Sequence, residues 1–339
     1  MAEKNKKELC LRVRNLKTSF FLNSGRKVQA VRNVNFDLYK GETLGVVGES
    51  GSGKSVMAKS ILRLITPPGK IESGKVMLGE TDLMRLTEKE MLKIRGQDIS
   101  MIFQEPLSAL NPSFSIQWQI GEVYSLHNNF SKQKVYDMTV DVLRKVNIPD
   151  PEKRMTEYPH QFSGGMRQRI LIAIALACNP KILIADEPTT ALDVTVQADI
   201  MDLLDGLRTN TNISIILISH NLNLVTERSD RIVVVYVGSI QELATSEEIV
   251  RNPLHPYTVG LMNSLPNIAE EGQKLTAIPG ELPDLTVDFK GCPFAPRCTH
   301  ALDRCLVEMP ELHEVNAGHF CRCHLFDPAT ATTGTTRDE

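Results

Sequence analysis

Residues 9 to 48 alternate apolar and polar positions, as in Leu11-Arg12-Val13-Arg14 and Val31-Arg32-Asn33-Val34-Asn35-Phe36, which predicts half-buried strands. The apolar run Leu44 to Val47 predicts a buried strand, and the spacing from Ser55 to Leu64 predicts a helix. Thr66-Pro67-Pro68-Gly69 breaks the chain, and a short strand is expected at Val76 to Leu78. Thr87 to Arg95 reads as a helix, with Thr87 as N-cap and Glu90 as its capping-box partner. Ile99 to Phe103 reads as a buried strand. Between about 112 and 160 the chain becomes mixed polar with helical spacing at Val135, Met138, Val142 and Val146, which predicts a helical insert closed by Pro149, Pro151 and Pro159. Strands return at Ile182 to Ala185, Ile213 to Ser219 and Arg231 to Val237, with a helix from Thr195 to Leu207 between the first two. Strands alternating with helices predict an α/β fold, a mostly parallel sheet covered on both faces. From about residue 250 the pattern thins among prolines running from Pro253 to Pro310, a loop-rich appendage, and Thr-rich Ala329 to Glu339 is expected to be disordered. There is no internal repeat.

The 339 residues suffice for about two domains. With a formal net charge of −3 there is no basic footprint for nucleic acid. The longest apolar run, Ile170 to Cys178, is far short of the ~20 residues of a membrane span. The charged start Met-Ala-Glu-Lys-Asn-Lys-Lys leads into no apolar signal core, so a cytosolic chain with reduced or metal-bound cysteines is expected.

The chemistry begins at Gly48-Glu49-Ser50-Gly51-Ser52-Gly53-Lys54-Ser55, which fits the phosphate-loop pattern G-x-x-x-x-G-K-[ST] between a predicted strand and a predicted helix. Glycines let backbone N–H groups curl around phosphate oxygens, and the helix N-terminus adds a positive field. Lys54 is expected to reach the β- and γ-phosphates and the Ser55 hydroxyl to hold Mg²⁺. Lys181 to Ala185 is an apolar strand ending in Asp186 and Glu187: Asp186 fits a second Mg²⁺-organising group, and Glu187 is placed to polarise water for attack on the γ-phosphate. The alternative is an acidic helix N-cap after a strand. Ser163-Gly164-Gly165, ahead of a helical run from Met166 to Leu176, is a second potential anion site. Two phosphate-binding devices in one chain are explained if two copies meet face to face, each offering its phosphate loop to one nucleotide and its Ser-Gly-Gly to the other.

The order Gly48–Ser55, Gln104, Ser163-Gly164-Gly165, Asp186-Glu187, Ala191-Leu192-Asp193 and His220 resembles the ATP-binding subunits of ABC transporters over about residues 9 to 245. The resemblance implies a P-loop ATPase with a RecA-like core sheet, an N-terminal antiparallel β portion and a helical subdomain at about 112–178. It also implies roles for individual residues. Gly48, Ser50, Gly51, Ser52, Gly53, Lys54, Ser55 and Val56 bind ATP, with Phe20 stacking on adenine and Phe21 as its rival. Gln104 touches Mg²⁺, alongside Ser55 and Asp186, and faces the membrane partner. Ser163, Gly164 and Gly165 form the signature loop, Asp193 lies at the dimer seam, Glu187 is the catalytic carboxylate and His220 the switch on the γ-phosphate. Met166 departs from the pattern, standing where many relatives carry Gln; a thioether donates no hydrogen bond.

Five of the seven cysteines, Cys292, Cys298, Cys305, Cys321 and Cys323, fall in one stretch. Thiolates suit zinc or an iron–sulfur cluster, and the open spacing lacks the tight C-x-x-C pairs usual in structural zinc sites. Free or disulfide-bonded cysteines are the remaining reading. With Asn252-Pro253-Leu254-His255-Pro256-Tyr257-Thr258, the segment resembles the C-terminal extension of the oligopeptide/dipeptide subgroup of ABC importer ATPases, which includes nickel and some glutathione importers. The subgroup resemblance implies a 4Fe–4S cluster on Cys292, Cys298, Cys305 and a fourth cysteine, Cys323 or alternatively Cys321. It implies a nucleotide-binding domain over 9–250, the extension over 251–328 and a tail over 329–339. It further implies a subunit at the cytoplasmic face of the membrane, partnered by two transmembrane permease subunits, a second identical or sister ATPase subunit and, indirectly, an extracytoplasmic substrate-binding protein. The expected cargo is di- or oligopeptide, with nickel complexes or glutathione as alternatives. A soluble ABC protein of DNA repair or the ribosome, and a phosphate-loop kinase, are the readings from other classes. The single phosphate loop, the lack of heptads and the signature loop speak against them.

Overall fold

The computed structural model describes residues 8–190, 192–264 and 278–327; Ala191 and the Thr-rich tail lie outside the described residues. In chain order the strands are β1 (Leu9–Phe21), β2 (Lys27–Tyr39), β3 (Thr43–Val47), β4 (Gly69–Leu78), β5 (Thr81–Asp82), β6 (Ile99–Ile102), β7 (Ile182–Asp186), β8 (Ser214–Ile218), β9 (Arg231–Tyr236), β10 (Ser239–Thr245), β11 (His313–Asn316) and β12 (His319–Cys321). The chain divides into two compact units, Met1–Arg12, Asp37–Thr43 and Met77–Ile218 in the first, and Val13–Phe36, Leu44–Val76 and Ser219–Glu339 in the second.

In the first unit β6, β7 and β8 are parallel, with Ile99 opposite Ile182 and Ile184 opposite Ile216. Every residue of the three is buried, as a parallel sheet covered on both faces requires. Helix Gly164–Leu176 supplies Ile170, Ile172 and Ala173 at 0% exposure. Helix Val194–Thr211 buries Ile200, Leu204 and Leu207. The capping box foreseen at Thr87 is present: Thr87 Oγ1 accepts from Glu90 N at 3.3 Å, and Glu90 Oε2 accepts from Thr87 N at 2.8 Å. The insert consists of helices Ile116–His127, Lys132–Lys145 and Pro151–Arg154, the first two capped by Ser115 and Ser131. Its buried stripe falls on Thr139, Val140, Val142, Leu143 and Val146, while Val135 and Met138 are half-buried. The apolar spacing found the helix but displaced part of its buried face.

In the second unit β3 runs parallel to β9, Leu44 opposite Arg231 and Val47 opposite Val234. The chain then reverses through Val237 (φ 48°) and Gly238 (φ 73°) into antiparallel β10. Two positive φ values mark a two-residue hairpin turn, and a valine there is under strain. The appendage contains more regular structure than its sequence suggests. Helix Pro256–Asn263 starts with His255 as N-cap and proline at its first position, and β12 pairs with β10 (Glu242 opposite Cys321) and with β11. Glu242, at 0% exposure, ties these pieces together by accepting from Leu254 N at 2.8 Å, His255 N at 2.9 Å and His319 Nε2 at 2.7 Å. Such a fully bonded carboxylate is the form in which a charge survives burial.

Candidate functional site

In the second unit the loop after β3 carries the phosphate-loop residues. Gly48 has φ 154° and Gly53, the N-cap of helix Lys54–Ile61, has φ 101°. A Cβ on Gly48 would lie 2.1 Å from Val235 O, and one on Gly53 2.1 Å from Ala30 O, so the backbone path admits only glycine at both. Lys54 is 5% exposed, and its Nζ donates to Gly48 O at 2.7 Å and Glu49 O at 2.8 Å. The ammonium is thereby held inside the curl of the loop. Ser52 is fully buried and its carbonyl accepts from Gly238 N at 2.8 Å, tying the loop to the β9–β10 turn. Ser50 and Gly51 are exposed, and Ser55 and Val56 are half-buried at the helix start. His220 is exposed after β8, directly before Asn221, whose side chain caps helix Leu222–Arg228. Phe20 and Phe21 differ in environment. A Cβ on Gly69 would meet the Phe20 ring at 2.7 Å, whereas Phe21 is 44% exposed with Lys27 Nζ 5.8 Å above its ring.

In the first unit β7 ends in Asp186, 2% exposed, and Glu187, whose φ of 49° places a non-glycine residue in the left-handed region. That conformation is costly and persists because its surroundings hold it. Glu187 N donates to Ile218 O at 2.9 Å. Its carboxylate Oε2 accepts from Gln104 Nε2 and from Thr190 Oγ1, both at 2.9 Å. Two residues singled out from the sequence, 83 positions apart, thus meet at one oxygen. Thr190, the other anchor of that oxygen, carried no signal of its own. Ser163 caps helix Gly164–Leu176, its Oγ accepting from Met166 N at 3.3 Å. Asp193 likewise caps helix Val194–Thr211, Oδ1 accepting from Val196 N at 2.9 Å. A Cβ on Gly165 would lie 2.6 Å from Val196 Cγ1, so Ser163-Gly164-Gly165 and the Asp193 segment are packed side by side.

The cysteines of the extension divide. Cys292, Cys298, Cys305 and Cys323 line one small cavity with His255 and His324. Cys321, 0% exposed on β12, clusters instead with Leu254 and Cys323, against which Val315 and Phe326 pack. Burial pushes the Cys292 thiol up to about 11 and Cys323 to about 12, with the neighbouring cysteines adding to each shift. Cys298 is raised by burial first and by Cys305 after it. Among the described residues no group of three His, Cys, Asp or Glu is arranged to hold a single metal ion, and no helix is long and apolar enough to cross a membrane.

Comparison with known proteins finds a family pattern for each part of the chain. The ABC transporter family pattern matches residues 31–190, and that of the oligopeptide/dipeptide transporter C-terminal region matches residues 241–305. The dipeptide transport ATP-binding protein DppD of Bacillus subtilis is 48% identical over 321 residues, 94% of this chain and 96% of that protein. The oligopeptide transport ATP-binding protein OppD of Escherichia coli is 45% identical over 313 residues, covering 92% of each. Among solved structures, the dimeric structure of MJ0796, a bacterial ABC transporter cassette, superimposes with a TM-score of 0.63 at 27% identity, covering 70% of this chain and 98% of that one. The chain belongs to the ABC transporter ATPase family, in the branch that carries the oligopeptide/dipeptide transporter C-terminal region.

Proposed function

We propose that this chain is the ATP-hydrolysing subunit of a membrane importer of di- and oligopeptides. The observation that carries the catalytic part is the carboxylate of Glu187, held by Gln104 and Thr190 at the end of β7 in a backbone conformation a glutamate rarely takes. The cargo reading rests on the names of the DppD and OppD relatives and on the shared C-terminal region.

The substrate is ATP with its Mg²⁺. Lys54 and the backbone N–H groups of the loop Gly48–Ser55, continued by Val56, hold the phosphates, and Ser55, Asp186 and Gln104 surround the substrate's Mg²⁺. Glu187 takes a proton from water as the water oxygen bonds to the γ-phosphorus and the bond to the β–γ bridging oxygen breaks, releasing ADP and phosphate. His220 contacts the γ-phosphate from its place after β8. The second nucleotide domain, from an identical or a sister chain, supplies Ser163, Gly164 and Gly165 to the same phosphate, with Asp193 at the seam. Closure of the pair drives two permease subunits at the cytoplasmic face, and hydrolysis resets them. Phe103 (41% exposed) and the stacked pair Phe114 and Trp118, centroids 3.9 Å apart, sit on the unit that carries Gln104 and support a protein-docking surface there. Glu187→Gln is expected to bind ATP as the parent does while hydrolysis falls by about 10²–10⁴-fold. Undiminished turnover would refute the assignment.

Cys292, Cys298, Cys305 and Cys323 line a cavity of about 10 Å³, and we propose that they are the donor set of a 4Fe–4S cluster, a reading supported by the chemistry of four thiols and not by a preformed space. Thiols that burial keeps protonated become thiolates when a cationic core compensates the charge. A bound cluster would supply a cross-link to a segment with few apolar residues of its own. Cys292, Cys298, Cys305 and Cys323 would hold it, with Cys321 in the core beside them.

A further inference from the structure

The C-terminal extension reaches the phosphate loop through a contact that the ATPase chemistry described above does not use. Glu49 occupies a variable position of G-x-x-x-x-G-K-[ST], yet both its carboxylate oxygens lie within reach of one donor, Arg297 Nη1, at 3.0 and 3.1 Å. The Arg297 side chain is 6% exposed. It stands one residue before Cys298, and its other bonds are to Pro279 O from Nε at 2.8 Å and to the Tyr236 hydroxyl at 3.2 Å. Its guanidinium lies 5.7 Å from the Tyr236 ring centre and 6.0 Å from that of Phe294. The same loop residue is gripped a second time, since Glu49 N donates to the hydroxyl of Tyr257 at 2.9 Å. Tyr257 is fully buried on helix Pro256–Asn263 and packs against Tyr236 and Phe294, centroids 4.6 and 5.4 Å away. A third touch is apolar: a Cβ on Gly51 would lie 3.8 Å from Leu282 Cδ2.

This arrangement has an electrostatic consequence. A carboxylate in the phosphate loop repels a triphosphate arriving at the same loop. Paired with a buried guanidinium, it becomes a handle by which the loop is held. Stripped of the guanidinium, it is an uncompensated anion beside an anionic substrate, the costly half of a broken ion pair. We propose that Arg297 is a positioning residue for nucleotide binding. It neutralises Glu49 and, with Tyr257, holds the turn at Glu49 in the shape that receives phosphate, so the cysteine-bearing extension and the ATP site are read out together. The inference rests on the reading of Gly48–Ser55 as the ATP-phosphate loop.

The test is a titration of the full-length chain with ATP–Mg²⁺, alongside KM and kcat. Arg297→Met is expected to weaken ATP binding by about tenfold, with kcat at saturating ATP changed less than twofold and Arg297→Lys recovering part of the loss. The decisive readout is rescue. Adding Glu49→Gln to Arg297→Met removes the exposed charge and restores at least half of the lost affinity on a logarithmic scale. A purely structural arginine gives no such rescue. Should Arg297→Met fail to fold, Tyr257→Phe, which deletes only the hydroxyl that Glu49 N donates to, takes its place and is expected to weaken binding about threefold. Arg297→Met binding ATP within twofold of the parent, or a double variant no better than Arg297→Met, overturns the proposal. Lys54→Ala serves as the control for the underlying reading: if it binds ATP as the parent does, the phosphate-loop assignment itself falls, and the inference with it.

Discussion

The loop Gly48–Ser55 and the cysteine segment 292–323 both gather polar groups at one place, but they do it by different means. In the loop the backbone does the work. Glycine is required at Gly48 and Gly53 because Val235 O and Ala30 O press against them, and the Lys54 ammonium is held by main-chain carbonyls. In the extension, side chains do it. Four cysteines converge from the two sides of the turn Ala295–Arg297 (Cys292 and Cys298), from the helix Asp303–Val307 (Cys305) and from the segment after β12 (Cys323). A site made of backbone fixes its spacing and is visible in one sequence. A site made of side chains fixes only residue types.

Breaking each site separately sharpens the contrast. The largest effect is expected at the cassette: Glu187→Gln lowers turnover by about 10²–10⁴-fold, read by steady-state phosphate release, with iron content unchanged. Next comes the extension. Protein purified without oxygen is expected to carry iron and sulfide in equal amounts, about four of each per chain. Cys298→Ser is expected to lose that iron and to expose residues 278–327 to limited proteolysis. One zinc per chain and no sulfide would contradict the cluster and leave the ATPase reading standing.

The smallest effect is one of pH. Burial lowers the His255 imidazole from about 6.5 to about 4, the largest cause among several. The folded state therefore favours neutral His255. Its contribution is fully present above pH 6.5 and is lost as pH falls towards 4, because the unfolded chain takes up the proton first. The loss amounts to about 3 kcal/mol at most. Urea melts of the parent and of His255→Gln between pH 7 and 4 are expected to differ in slope over that window. Parallel slopes would show that His255 is not held neutral.

The strands that carry the cassette chemistry were legible because their residues are buried on both faces and read as plain apolar runs. β7 is an example, and the two carboxylates at its end follow from it. β10 was not legible. Gln241 and Glu242 are both at 0% exposure, so the strand looks polar although it is interior, and its turn uses Val237-Gly238 rather than an Asn-Gly pair. β11 and β12 are short and each starts with a histidine, and only the pairing of β12 to β10 and of β11 to β12 makes them strands. Within the candidate site the sequence named Gln104 and Glu187 but could not show that they share an oxygen. It also gave no hint of Thr190 or of the Arg297–Glu49 contact, which link positions with no fixed spacing. Of the two rings the sequence offered for adenine, that of Phe20 is half-buried beside Gly69 and that of Phe21 is exposed.

The proposed mechanism requires one nucleotide to be held between two ATPase domains. The direct measurement is a structure of the Glu187→Gln chain with ATP–Mg²⁺, alone or with its sister subunit. The account predicts Lys54 of one domain and the signature-loop serine of the opposite domain on either side of a single γ-phosphate. ATP bound at Lys54 with Ser163 on an unrelated surface would contradict it.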